Sequence, residues 1–157
     1  MTSSNQSGFT TPELIVVVGI IAVLAGLATV NLLGVARKPT LTATVDTLTS
    51  DLRQQQTKAM VGERLSSHGV YFGSGQYVLF AGSSYNPGEV SNAAVALEQY
   101  VGFSQVSLPN ASVVFASGSG EVTNFDPNQH AVTIAHEQSG EQKTIEVNRL
   151  GVVTAVQ

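Results

Sequence analysis

Residues 14–36 read LIVVVGIIAVLAGLATVNLLGVA, an uninterrupted apolar run whose only clearly polar side chains are Thr29 and Asn31. As a helix rising about 1.5 Å per residue it extends roughly 34 Å, which matches a hydrocarbon core of about 30 Å. A buried core helix of this length normally carries a polar stripe, and here the apolar character runs all the way round. The stretch therefore predicts a membrane-spanning helix. A cleaved secretory signal is the competing reading, because Val23 and Ala25 are small enough to precede a cut at Gly26. Against it, the preceding MTSSNQSG has no Lys or Arg, and the apolar run continues well past that site.

Immediately upstream stands Gly8-Phe9-Thr10-Thr11-Pro12-Glu13-Leu14. Thr11 can cap a helix, Pro12 suits its first position, and Glu13 meets the positive end of the dipole. Capping alone would account for Glu13. Yet a carboxylate adjoining an apolar span is costly, by about 2.5–3.5 kcal/mol at mid-bilayer and less at the edge. No basic residue follows it until Arg37. Its partner is expected to come from another chain.

The arrangement Gly-Phe-Thr-x-x-Glu-Leu followed by a long apolar run resembles the N-terminal signal of type IV prepilins and type II secretion pseudopilins. The resemblance implies cleavage between Gly8 and Phe9 by a prepilin peptidase and N-methylation of Phe9. It also implies that Glu13, fifth after the cut, meets the terminal amine of a neighbouring subunit during assembly. On this reading residues 1–8 are a leader, 9–38 a transmembrane helix and 39–157 a pilin-like globular domain. The implied partners are other pilin or pseudopilin subunits, the peptidase, an inner-membrane assembly platform and the lipid bilayer. The implied location is the bacterial inner membrane, single-pass with the C-terminal domain outside, and then the pilus or pseudopilus. The charge bias of Arg37 and Lys38 by itself favours the opposite orientation.

Beyond Pro39, which would kink or break a continuing helix, Leu41, Val45, Leu48, Leu52 and Ala59 recur at helical spacing. They predict an amphipathic helix over about 41–64 with one stripe for docking a sheet. From His68 the period shortens to that of strands. His68–Phe72 and Gln76–Ala81 flank the turn Gly73-Ser74-Gly75, and Gly82–Ser91 is read as a loop. Further strands are expected at Gln105–Leu108, Ser112–Ala116, Ala131–Glu137, Lys143–Asn148 and Gly151–Val156. The expected fold is α+β and pilin-like. A long N-terminal helix, half transmembrane and half amphipathic, packs on a single antiparallel β-sheet. Asp51-Leu52-Arg53, Ser107-Leu108-Pro109-Asn110 and Gly151-Val152-Val153 are similar to features of the H-type (GspH) minor pseudopilins and FimT-like minor pilins.

Composition narrows the function. Net charge is −4, and from Pro39 onward five basic residues (Arg53, Lys58, Arg64, Lys143, Arg149) face ten acidic ones. No basic run exists to follow a phosphate backbone, so nucleic acid is not expected as a partner. The absence of cysteine excludes disulfides, thiol catalysis and Cys-based zinc sites. No HExxH, Walker loop, dinucleotide glycine pattern or nucleophile elbow occurs, so neither an enzyme nor a cofactor is expected. His130 and His136 on one strand would stand about 20 Å apart, too far for one metal. Asp126-Pro127-Asn128 reads as a loop with calcium binding as the minor alternative, and Asn110-Ala111-Ser112 fits a glycosylation pattern. The expected function is a structural subunit, minor in kind, of a type IV pilus or type II secretion pseudopilus. The alternative is a secreted or membrane-anchored β-rich binding domain whose N-terminus serves only for targeting.

Overall fold

Leu41, Val45, Leu48, Leu52 and Ala59 place an apolar side chain on one helix face every three to four residues, with Thr44 and Gln55 filling the same stripe. That periodicity forms helix α2, Leu41–Met60, and all seven side chains are buried. The structure, a computed structural model, describes residues 10–35 and 41–156, with side chains over 10–25 and 41–154. It divides into two units, Met1–Lys38 and Pro39–Gln157. The first contributes helix α1, Thr11–Val35. Helix α2 ends four residues before the expected Arg64. Gly62 adopts φ 68 and its N–H bonds the Ala59 carbonyl at 3.0 Å, a left-handed terminus that glycine accommodates without steric cost.

The strands are β1 (His68–Gly73), β2 (Gln76–Ala81), β3 (Ala93–Ala96), β4 (Val101–Ser107), β5 (Ser112–Phe115), β6 (Ala131–His136), β7 (Gln142–Val147) and β8 (Val153–Val156). They form two four-stranded antiparallel sheets, ordered β3-β2-β1-β5 and β4-β6-β7-β8. Alternation within the strands assigns the faces. Val70 and Phe72 of β1, Tyr77 of β2, and Val113 and Phe115 of β5 join Leu48 and Leu52 in one core. Val132, Ile134, Ile145, Val147 and Val153 bring the second sheet into that same core. Phe72 meets Phe103 edge-on at 5.4 Å, one of the contacts that tie the two sheets together.

A bulge at Ser104 keeps β4 in phase. Phe103 pairs with Ile134 and Val106 with Val132, so the extra residue lets both face the core despite their odd spacing. The opposite face of the first sheet is covered by the loop after β2. Tyr85 stacks on Tyr71 at 4.1 Å between ring centroids and lies tilted against Phe80 at 5.8 Å. Gly69 must remain side-chain-free here. A Cβ at this position would stand 2.6 Å from both the Phe80 ring and the Val113 carbonyl oxygen.

Several expectations are corrected. The single sheet on one long spine is replaced by two sheets around α2, with α1 in a separate unit. The chain leaves the edge strand β3, turns at Tyr100 with φ 66, and starts a second sheet at β4. The transmembrane helix and the single-pass inner-membrane location are also overturned. Among the described residues no helix is long and apolar enough to cross a membrane. β3 was not expected, because Ala-Ala-Val-Ala carries little β signal. The first half of β4 was missed too, since Gly102 and Ser104 dilute its pattern. The leader 1–8 and the Arg37-Lys38-Pro39 junction lie outside the described residues.

Candidate functional site

Glu13 stands in the first turn of α1 and is the only charged residue of that helix. Leu14 N–H donates to the Thr10 carbonyl at 3.1 Å, which sets the helical path at the expected position. Pro12 lacks an N–H where a helix leaves N–H groups unpaired in any case. Every described residue of α1 is exposed. The aliphatic side chains Leu14, Ile15, Val16, Val17, Val18, Ile20, Ile21, Val23 and Leu24 are 43% to 67% exposed. They point in all directions, so the helix has an apolar circumference with one carboxylate at its N-terminal end. A contiguous apolar surface of this kind marks a contact site. Gly8 and Phe9, the expected cleavage pair, lie outside the described residues, so of the predicted site residues only Glu13 has a place in the structure.

The other residues singled out from sequence do not converge. His136 accepts a hydrogen bond from Ser139 N–H at 3.3 Å through Nδ1, while His130 lies against Phe125 with its Nδ1 buried and unpartnered. No cluster of three His, Asp or Glu side chains suited to a metal occurs among the described residues. Asp126 accepts the Asn128 N–H at 2.8 Å through Oδ1 and the Gln129 N–H at 3.0 Å through its carbonyl, a self-contained turn. Asn110 has φ 53, and Ser112 is buried.

Two polar arrangements escaped the sequence reading. Asp51 of α2 accepts the Tyr77 hydroxyl of β2 at 2.5 Å, pinning the helix to the first sheet. Burial raises the Tyr77 phenol above its ordinary range, and the Asp51 carboxylate raises it further. The second is a surface pocket of about 100 Å³ where the end of α2 meets β1 and β2, lined by Gln55, Lys58, Glu63, Arg64 and His68 among others. Gln55 falls in the buried stripe of α2 between Leu52 and Ala59, a place the apolar periodicity alone did not single out. That Lys58, Arg64 and His68 would converge beside it depended on a left-handed turn no sequence pattern announces. Comparison with protein-family models, curated proteins and solved structures finds no match to this chain.

Proposed function

We propose that the protein is a structural subunit of the type IV pilin or pseudopilin kind, polymerising through its apolar N-terminal helix. One observation carries the reading: α1 exposes aliphatic side chains on every side and has Glu13 as its sole charge. Burying such a surface is worth about 25 cal/mol per Å², and the same helix of neighbouring copies offers a surface of matching character. In an apolar bundle an isolated carboxylate is unfavourable, whereas a carboxylate beside an ammonium group is tolerated. The amine of Phe9, freed by cleavage after Gly8, is the group proposed to meet Glu13 of the adjacent subunit. That pairing would set the axial register of one subunit on the next. The partners proposed are therefore sister subunits and a prepilin peptidase.

Mass spectrometry of assembled material tests the first step, with N-methylated Phe9 the expected terminus. An intact leader or a terminus near Gly26 overturns the reading. Glu13→Ala should leave cleavage intact and reduce incorporation about tenfold or more, the consequence of losing a close charge pair worth at least about 1.4 kcal/mol. Unchanged incorporation would remove Glu13 from the mechanism.

A further inference from the structure

The unit from Pro39 onward is acidic, yet two of its five basic side chains, Lys58 and Arg64, line one pocket together with His68. Neither cation has an ion-pair partner among the described residues. His68 is buried on β1, with its Nε2 3.0 Å from the Glu63 carbonyl oxygen. Gln55 adds an independent sign. It is only 2% exposed, lines the same pocket, and its side-chain amide has no hydrogen bond among the described residues. The Gln55 amide atoms are not among the fully buried, unpartnered side-chain atoms, so the amide opens onto the pocket beside the two unpaired cations, with its N–H groups free to meet an acceptor there.

The backbone points the same way. Arg64 has φ 58 and Leu65 φ 52, left-handed conformations in side-chain-bearing residues immediately after Gly62. Each costs of order 1–3 kcal/mol and persists where the surroundings over-determine it, commonly at ligand sites. This turn is what places Arg64 at the pocket after the helix has ended at Met60.

We infer that this pocket, formed by Gln55, Lys58, Arg64 and His68, binds a small oxyanion, a carboxylate or a phosphate group. Its donors are one amide and two cationic groups, and charge-assisted hydrogen bonds of this kind suit oxygen acceptors. Its volume of about 100 Å³ is enough for a single anionic head group. Glu63 on the rim opposes the bound charge and limits affinity. The inference is independent of the filament reading, since no residue of α1 takes part.

The test is a titration of the full-length chain, kept dispersed in mild detergent, with sodium acetate in one arm and inorganic phosphate in the other, both at constant ionic strength. Binding is read from the NMR signals of the Gln55 side-chain amide and the His68 ring. Saturable shifts at both groups are expected in at least one arm. Acetate alone assigns a carboxylate site, phosphate alone a phosphate site, and both the shared oxyanion chemistry. Arg64→Gly combined with Lys58→Gln should weaken binding at least tenfold while leaving the remaining spectrum unchanged. Glycine relieves the strained φ, so loss of folding is not the expected outcome. Glu63→Gln should tighten binding severalfold. No saturable shift in either arm, or unchanged affinity in the double variant, overturns the inference.

Discussion

Tyr77 illustrates how a single side chain joins two elements. Its ring is 1% exposed in the core, and its hydroxyl reaches Asp51 across the α2–β2 contact. Tyr77→Phe should cost about 1.5 kcal/mol at neutral pH, the worth of a hydrogen bond to a charged acceptor. The pH dependence follows from the raised phenol. Below the ordinary value of 10.0 both native and unfolded chains keep the proton, so the contribution is complete. Above it the unfolded chain loses its proton while the native one retains it, and stability falls by up to about 1.4 kcal/mol per pH unit. Urea midpoints measured at pH 8 and pH 11 should diverge more in the parent than in Tyr77→Phe, with the other tyrosines as a common background. Equal divergence would mean that Tyr77 ionises as readily in the fold as outside it. Asn124 plays a comparable residue-scale part. Its amide donates to the Ser112 carbonyl at 2.7 Å, and its Oδ1 accepts the Val114 N–H at 3.1 Å, so it pairs with the backbone of β5 at two alternate residues.

At the scale of elements, α2 is the piece around which both sheets close. Leu48 is fully buried at the middle of its stripe and belongs to the core shared with β1, β5, β6 and β7. Leu48→Ala leaves a cavity bounded by this core and should destabilise the fold by about 2–5 kcal/mol. Chemical denaturation gives the value. A loss below about 1 kcal/mol would show that the helix packs on the sheets less tightly than its burial indicates. The stripe and the hairpin β1–β2 were legible in sequence because each depends on local periodicity and on the glycine at the turn, where Gly75 has φ 70. β3 was not legible, since four small residues become a strand only when β2 offers them an edge. The loop after β2 was read as a loop, but its use as a cover for the outer face rests on Tyr85 finding Tyr71 in space.

For the whole molecule, the decisive contrast is between a unit with its own core and a helix without one. Among the described residues every member of the hydrophobic core lies between Leu41 and Val153, within the unit Pro39–Gln157. A chain beginning at Pro39 should fold cooperatively with the same β-rich circular dichroism and remain monomeric in sedimentation, whereas the full chain should self-associate through α1. Failure of the shortened chain to fold would refute the independence of its core. Monomeric behaviour of the full chain at high concentration, without detergent, would remove the basis for assembly through the helix.

The sequence by itself determined where apolar periodicity changes, and hence the all-round apolar character of α1, the buried stripe of α2 and most strands that follow. These properties depend on neighbours in the chain, and Glu13 at the helix start is legible for the same reason. Only the tertiary structure decided that the strands divide into two sheets, that Asp51 meets Tyr77, and that Gln55, Lys58, Arg64 and His68 share one pocket. Strand partners and converging side chains are set by burying a common core and by left-handed turns at Gly62, Arg64 and Tyr100. Their energies arise between residues distant in sequence, where no local pattern records them.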